Sequence, residues 1–157
     1  MDYSYFKLLH IIAVIVFLGN IFTGLFWMKW AVKSKDLKII NHTINGIIRS
    51  DKFFTIPGVL IITLFGIMAA IYGHFPVLGT PWILWSIVSF SLSGLAFTFK
   101  VAPLQKKLAK MTLIESAESE FNWGKFQLTY LAWDVWGLIA LILPFAALVM
   151  MVLKIPR

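Results

Sequence analysis

The chain of 157 residues has room for one domain, and 60% of it is hydrophobic, 16% aromatic and only 13% charged, against about half apolar and a quarter charged in soluble domains. So little polar surface makes lipid the solvent, and the absence of cysteine excludes disulfides, thiolate metal sites and thiol redox chemistry. The net charge of +7 resides in basic residues beside apolar stretches, where it orients a protein in a bilayer, so nucleic acid is excluded as a partner.

A helix needs roughly 20 apolar residues to cross the hydrocarbon. The first qualifying stretch is Tyr5 to Met28; its apolar run, Phe6 to Trp27, is too long for a signal-peptide core and lacks a small-residue cleavage site, so it reads as a retained span. Over 36–50, Ile39, Ile40, Ile44, Ile47 and Ile48 recur at helical spacing, which predicts an amphipathic helix resting on lipid headgroups at the cytoplasmic surface. The second span is Phe53 to Tyr72, with Pro57 in its first turn, and the third is Pro81 to Phe99, opened by Pro81. The fourth runs from Phe126 to Leu153, and Pro144 inside it predicts a kink. Trp27, Trp30, Trp82, Trp85 and Trp123 fall near the span ends, as interfacial anchors do. The fold class is therefore all-α: one integral membrane four-helix bundle over 1–157.

Charge orients the bundle. The connection from Gly73 to Thr80 has no formal charge, whereas the first connection carries Lys29, Lys33, Lys35, Lys38, Arg49 and Lys52, and the third carries Lys100, Lys106, Lys107, Lys110 and Lys125. Only Lys7, Lys154 and Arg157 lie on the other side. Because Lys and Arg in short flanking segments resist translocation, the two basic connections are expected in the cytoplasm and both termini on the extracytoplasmic side.

Polar residues inside the spans must be paired within the bundle or face a water-filled cavity. On the third span Ser86, Ser89, Ser93, Ala96 and Lys100 follow steps of three and four, and Lys7, His10, Ala13, Phe17, Asn20 and Gly24 do the same on the first. The second offers Thr63, Gly66, Ala70 and Gly73; the fourth offers Gln127, Tyr130, Asp134, Gly137 and Pro144. Four such stripes predict four helices facing one axis. Counting depth along each helix puts Asn20, Thr63, Ser93 and Asp134 at one level, roughly 10 to 15 Å inside the cytoplasmic boundary. Asp134 is the one acidic residue well inside a span; it either handles a proton or cation or locks the bundle through hydrogen bonds.

His10 lies on the interior stripe near the outer boundary, on the same side as His74. One ring nitrogen of such a histidine can ligate haem iron or another metal, with Met68, Met150 and Met151 as candidate partners from other helices; the alternative is a hydrogen-bonded interfacial histidine. No second histidine lies within a span, no metal-binding motif such as HExxH occurs, and Asp134 and His10 lie too far apart in depth for a hydrolytic triad.

The order of short motifs adds to this: Lys7-Leu-Leu-His10 with Gly19 beyond it, Arg49-Ser-Asp51 leading into Phe54-Thr55-Ile-Pro57-Gly58, Pro81-Trp82, Pro103-Leu-Gln105, and Met150-Met-Val-Leu-Lys154-Ile-Pro156. Over almost the whole chain this resembles a bacterial family of uncharacterised four-helix predicted integral membrane proteins, in a grouping with CopD-like copper-resistance proteins and HemJ-type protoporphyrinogen oxidases. The resemblance implies a multi-pass protein of the bacterial cytoplasmic membrane. The HemJ likeness, carried by Lys7 and His10, implies haem b with His10 as an axial ligand, and the CopD likeness implies copper handling by His10 and the methionines. Three functions stand open: a haem or redox protein ligated by His10, a cofactor-free module that handles a cation, copper or proton, and a structural subunit. The expected partners are the lipid bilayer and either a second copy or another membrane protein.

Overall fold

The computed structural model describes residues 3–113 and 121–156, and every regular element among them is helical. Arg157, one of the three basic residues assigned to the outer side, and residues 114–120 of the third connection lie outside the described residues. Six α-helices follow one another: α1 Tyr3–Ser34, α2 Leu37–Ser50, α3 Ile56–Tyr72, α4 Pro81–Ala96, α5 Ala102–Met111 and α6 Trp123–Leu153. Asp36 caps α2, its carboxylate accepting from the Lys38 and Ile39 amides at 2.8 and 3.3 Å, and Asn122 caps α6 by accepting from the Lys125 amide at 2.9 Å.

Helices α2 and α3 are one continuous rod, and so are α4 and α5. Each joint is a π-helical turn, Asp51–Thr55 and Phe97–Val101, and each is followed by a proline, Pro57 or Pro103. Proline supplies no N–H and its ring crowds the carbonyl four residues back. A wider turn makes that room while keeping backbone bonds: the Ile56 amide donates to the Asp51 carbonyl and the Ala102 amide to that of Phe97. Four helical rods are thus long and apolar enough to span a membrane, Tyr3–Ser34, Leu37–Tyr72, Pro81–Met111 and Trp123–Leu153. At about 1.5 Å per residue the first measures roughly 48 Å, so it overruns a hydrocarbon layer of about 30 Å.

The basic connections lie at one end of these rods, here called the basic end. There α2 lays Ile40, Ile44 and Ile47 into an apolar core with Met28 and Ala31 of α1, Leu108 of α5 and Phe126 of α6. Ile40, Ile44, Leu108 and Phe126 are fully buried. This corrects the expectation that the 36–50 stripe rests on headgroups: the periodicity is right, and protein covers the apolar face. The side chain of Asn41 ties α2 to α5, its amide donating to the Ala109 carbonyl and to Thr112 Oγ1, both at 3.0 Å.

Toward the opposite end the bundle resolves into two pairs, α1 along α3 and α4 along α6. The apolar cluster there is small, Ala13, Phe17 and Ile62, and Phe17 reaches Phe90 of the other pair with ring centroids 5.5 Å apart. The 73–80 connection meets both ends of the chain: Phe75 lies 6.5 Å from the Tyr3 ring, and Lys154 Nζ sits 5.6 Å over the Phe75 ring.

Candidate functional site

Where α1 packs on the α2–α3 joint, four polar side chains converge. Asp51 comes from the first residue of the α2–α3 joint and Thr55 from its last; Asn20 comes from α1 and Gln105 from α5, one turn beyond the α4–α5 joint. Asp51 Oδ1 accepts from Thr55 Oγ1 at 2.7 Å and from Asn20 Nδ2 at 3.0 Å. Its Oδ2 accepts from Gln105 Nε2 at 2.8 Å. The Asn20 amide also donates to Thr55 Oγ1 at 2.9 Å. Asp51 is 6% exposed, and Thr55 and Gln105 are also buried.

The local sequence explains the convergence. Ile40, Ile44, Ile47, Asp51, Thr55, Gly58 and Ile62 are all buried and follow steps of three and four, so the inward stripe of α2 passes through the joint into α3 without a break. Gly58 packs on Phe17, where an added Cβ would make ordinary contact at 3.5 Å. On the other rod the buried positions step from Ala96 by five to Val101 and then to Gln105 and Leu108; the π-helical turn inserts the extra residue that turns Gln105 inward.

An ionised carboxyl taken out of water costs several kcal/mol unless hydrogen bonds or a counter-charge replace the water. Here three neutral donors do so, and no Lys or Arg bonds to Asp51 among the described residues. Beside this centre, α6 contributes Trp133, 2% exposed, whose indole Nε1 is buried with no hydrogen-bond partner among the described residues. Trp133, Asn20, Asp51 and Gln105 together line a small, partly open cavity of about 20 Å³.

Of the residues singled out from sequence, Asn20 belongs to this centre. Thr63 is exposed, and its hydroxyl donates to the Val59 carbonyl of its own helix at 2.8 Å. Ser93 is buried and donates to the Ala140 carbonyl of α6 at 2.7 Å. That carbonyl lies four residues before Pro144, which has no N–H to give it, so the serine supplies the missing donor. Asp134 is half-buried, one position around α6 from the inward stripe of Trp133 and Gly137, and makes no side-chain hydrogen bond among the described residues. The four side chains expected at one level therefore do not bond to one another. His10 lies near the other end, with Nδ1 2.9 Å from the Ile62 carbonyl. Because a carbonyl only accepts, Nδ1 carries the proton. Gly66 makes room for the ring, since a Cβ there would stand 3.0 Å from His10 Nδ1 and Cε1.

From sequence, Asp51, Thr55 and Gln105 figure only in the motifs that carry the family resemblance and not as candidate site residues. Their signal was present: the isoleucine stripe of 40–47, carried forward in steps of four, lands on Asp51 and then Thr55.

Among the described residues no group of three or more His, Cys, Asp or Glu side chains could hold a metal ion. No curated protein and no solved structure matches the chain, so the likeness to CopD-like and HemJ-type proteins gains no support from homologues. One family model does match, described as "Predicted integral membrane protein", and it covers residues 4–155. With four membrane-length apolar helices and this match over nearly its whole length, the chain is a multi-pass integral membrane protein and belongs to the DUF2269 family.

Proposed function

We propose that this membrane protein binds and releases a proton or a small monovalent cation at Asp51. The observation that carries the reading is a buried carboxyl group whose partners, Asn20, Thr55 and Gln105, are all neutral. A structural ion pair would carry its own cation; this site leaves the compensating charge to something that arrives. Gln105 suits either state. Its amide donates to the ionised carboxylate, and a half-turn of the same amide presents its carbonyl to accept from the protonated acid. The proposal keeps the class of a cofactor-free ion-handling module and moves its centre from Asp134 to Asp51.

The test is thermal melting of the detergent-purified protein across pH, and at fixed pH with lithium, sodium or potassium exchanged at constant ionic strength. A bound proton or ion shifts the folded state's stability. The wild type is expected to respond to pH or to one of the cations, and Asp51→Asn to lose that response. Identical responses from the two proteins overturn the proposal.

A second reading, haem or copper held by His10, is favoured by one observation. With Nδ1 donating to Ile62, the ring turns Nε2 into its lone-pair nitrogen, which is the arrangement of a metal-bound histidine. The surroundings fit a haem poorly, because His10 is packed over Gly66. A Soret band in the purified protein that disappears in His10→Ala supports haem and a bare 280 nm absorption removes it, whereas copper, colourless when cuprous, is tested by comparing the metal content of the wild type with that of His10→Ala.

For sidedness we keep the charge argument, with the basic end in the cytoplasm of a bacterial cell. In inside-out vesicles, cysteines replacing Lys33 and Lys107 are expected to react with an impermeant thiol reagent and one replacing Val77 to be protected. The reverse pattern inverts the orientation.

A further inference from the structure

The indole of Trp133 is the one buried side-chain donor left without an acceptor among the described residues, and buried N–H groups without partners are rare because each forfeits about 1–3 kcal/mol. Trp133 lines the cavity that Asp51, Asn20 and Gln105 also line. That cavity, about 20 Å³, exceeds the roughly 10–15 Å³ that one water requires. Its remaining walls include Gly24 and Gly137, which contribute no side chains.

The donors and acceptors around this space restrict what enters it. The guest must accept from an indole N–H, which excludes ammonium, and it must not bring a bare positive charge against that N–H, which disfavours a sodium or lithium ion at this spot. It must also donate, because the carboxylate that shares the cavity wall is an acceptor with three of about four lone-pair sites in use. A single neutral molecule that accepts and donates satisfies both sides, and at this volume that molecule is water. We infer that the cavity beside Asp51 is a binding site for one water molecule, which accepts from Trp133 Nε1–H and donates to the Asp51 carboxylate.

This deepens the proposed function and rests on it in one respect: a water at hydrogen-bonding distance of the carboxylate is a route for protons, so the ion handled at Asp51 is a proton. The charged and titratable groups on the surrounding elements do not compete for that role. Arg49 and Lys52 beside Asp51 are exposed, as is Lys106 on α5. Lys100 lies 5.5 Å over the Trp136 ring, and Tyr130 and Asp134 on α6 are half-buried with no side-chain hydrogen bond among the described residues.

The experiment uses the full chain in detergent micelles with nitrogen-15-labelled tryptophan, the Trp133 indole signal being assigned by its loss in Trp133→Phe. The result expected is an exchange-independent cross-peak between the Trp133 Nε1 proton and water, retained in Asp51→Asn, where the amide oxygen still accepts. Its absence from the wild-type protein overturns the water site. The pH response then separates the two layers of the claim. A Trp133 signal that moves on acidification in the wild type and stays still in Asp51→Asn supports the proton route. A cross-peak with no such movement keeps the water and removes the reading of Asp51 as a titrating site. Displacement of the signal by sodium or lithium at fixed pH contradicts the assignment of a proton.

Discussion

The two ends of the bundle satisfy their buried polar groups in different ways. Toward the 73–80 connection, side chains bond to backbone: His10 to the Ile62 carbonyl and Ser86 to that of Ala147. Toward the basic end, where Asn41 and Ser93 also reach backbone carbonyls, Asn20, Thr55 and Gln105 all bond to one side chain, Asp51. Bonds to backbone carbonyls are what helices in lipid need for their own integrity, above all beside a proline, and they bring small benefits of about 0.6 kcal/mol each. A carboxyl group surrounded by neutral donors is not needed to hold helices together, since apolar residues of similar volume do that at least as well. On the proposed function, the contrast sets backbone bonds that serve assembly apart from a carboxyl centre that serves chemistry.

The comparison breaks first at Asp51. Asp51→Leu removes the acceptor of the buried Gln105 amide and of the buried Thr55 hydroxyl, and at about 1–3 kcal/mol for each unpaired donor it should destabilise the protein by about 4 kcal/mol in a denaturant titration in detergent. Asp51→Asn should retain most of the stability, because an amide oxygen can still accept. If both variants unfold like the wild type, the centre contributes nothing to folding and the reading of a high-cost site loses its basis.

Next comes Ile44, which separates a protein-covered α2 from one lying on headgroups. Truncating a fully buried isoleucine leaves a cavity, so Ile44→Ala should cost about 3 kcal/mol. A change near zero in the same titration would return α2 to the membrane surface. Among the bonds to backbone, Ser93→Ala deprives the Ala140 carbonyl of the donor that Pro144 cannot supply, and should cost about 1 kcal/mol. Thr63→Ala removes a hydroxyl that bonds only within its own helix and should change stability by less than about 0.5 kcal/mol. A larger loss from Thr63 than from Ser93 would reverse their assignment.

These differences also mark what could be read from the chain alone. The spans were legible, because some twenty apolar residues in a row have few other uses, and so was Asn20, an amide on an interior stripe. Ser93 was legible as an inward residue, but its partner was not: nothing in the third span says that the Ala140 carbonyl lies opposite it. The centre itself was hidden by the treatment of charge and proline. Arg49 and Lys52 flank Asp51 and point to a surface loop, and Pro57 suggests a helix start, so the second span was begun at Phe53. In the structure the helix runs straight through, because a π-helical turn accommodates the proline and carries the isoleucine stripe of α2 onto Asp51 and Thr55. Gln105 followed the same logic on the second rod, where the step of five between Ala96 and Val101 breaks the regular spacing that periodicity relies on. What covers an amphipathic face, lipid or protein, is likewise not written in its period, which is why α2 was expected on headgroups.

The central claim is that Asp51 changes protonation state inside the folded bundle. Infrared difference spectroscopy of the protein in lipid, recorded while the pH is lowered from neutral, observes this directly through the carbonyl stretch that only a protonated carboxyl group possesses. The account predicts a protonated-carboxyl band that rises on acidification in the wild type, shifts in Gln105→Leu because the acid loses a hydrogen-bond partner, and is missing from Asp51→Asn. The same band in Asp51→Asn at undiminished intensity, or none in the wild type at any pH where the protein stays folded, would contradict it.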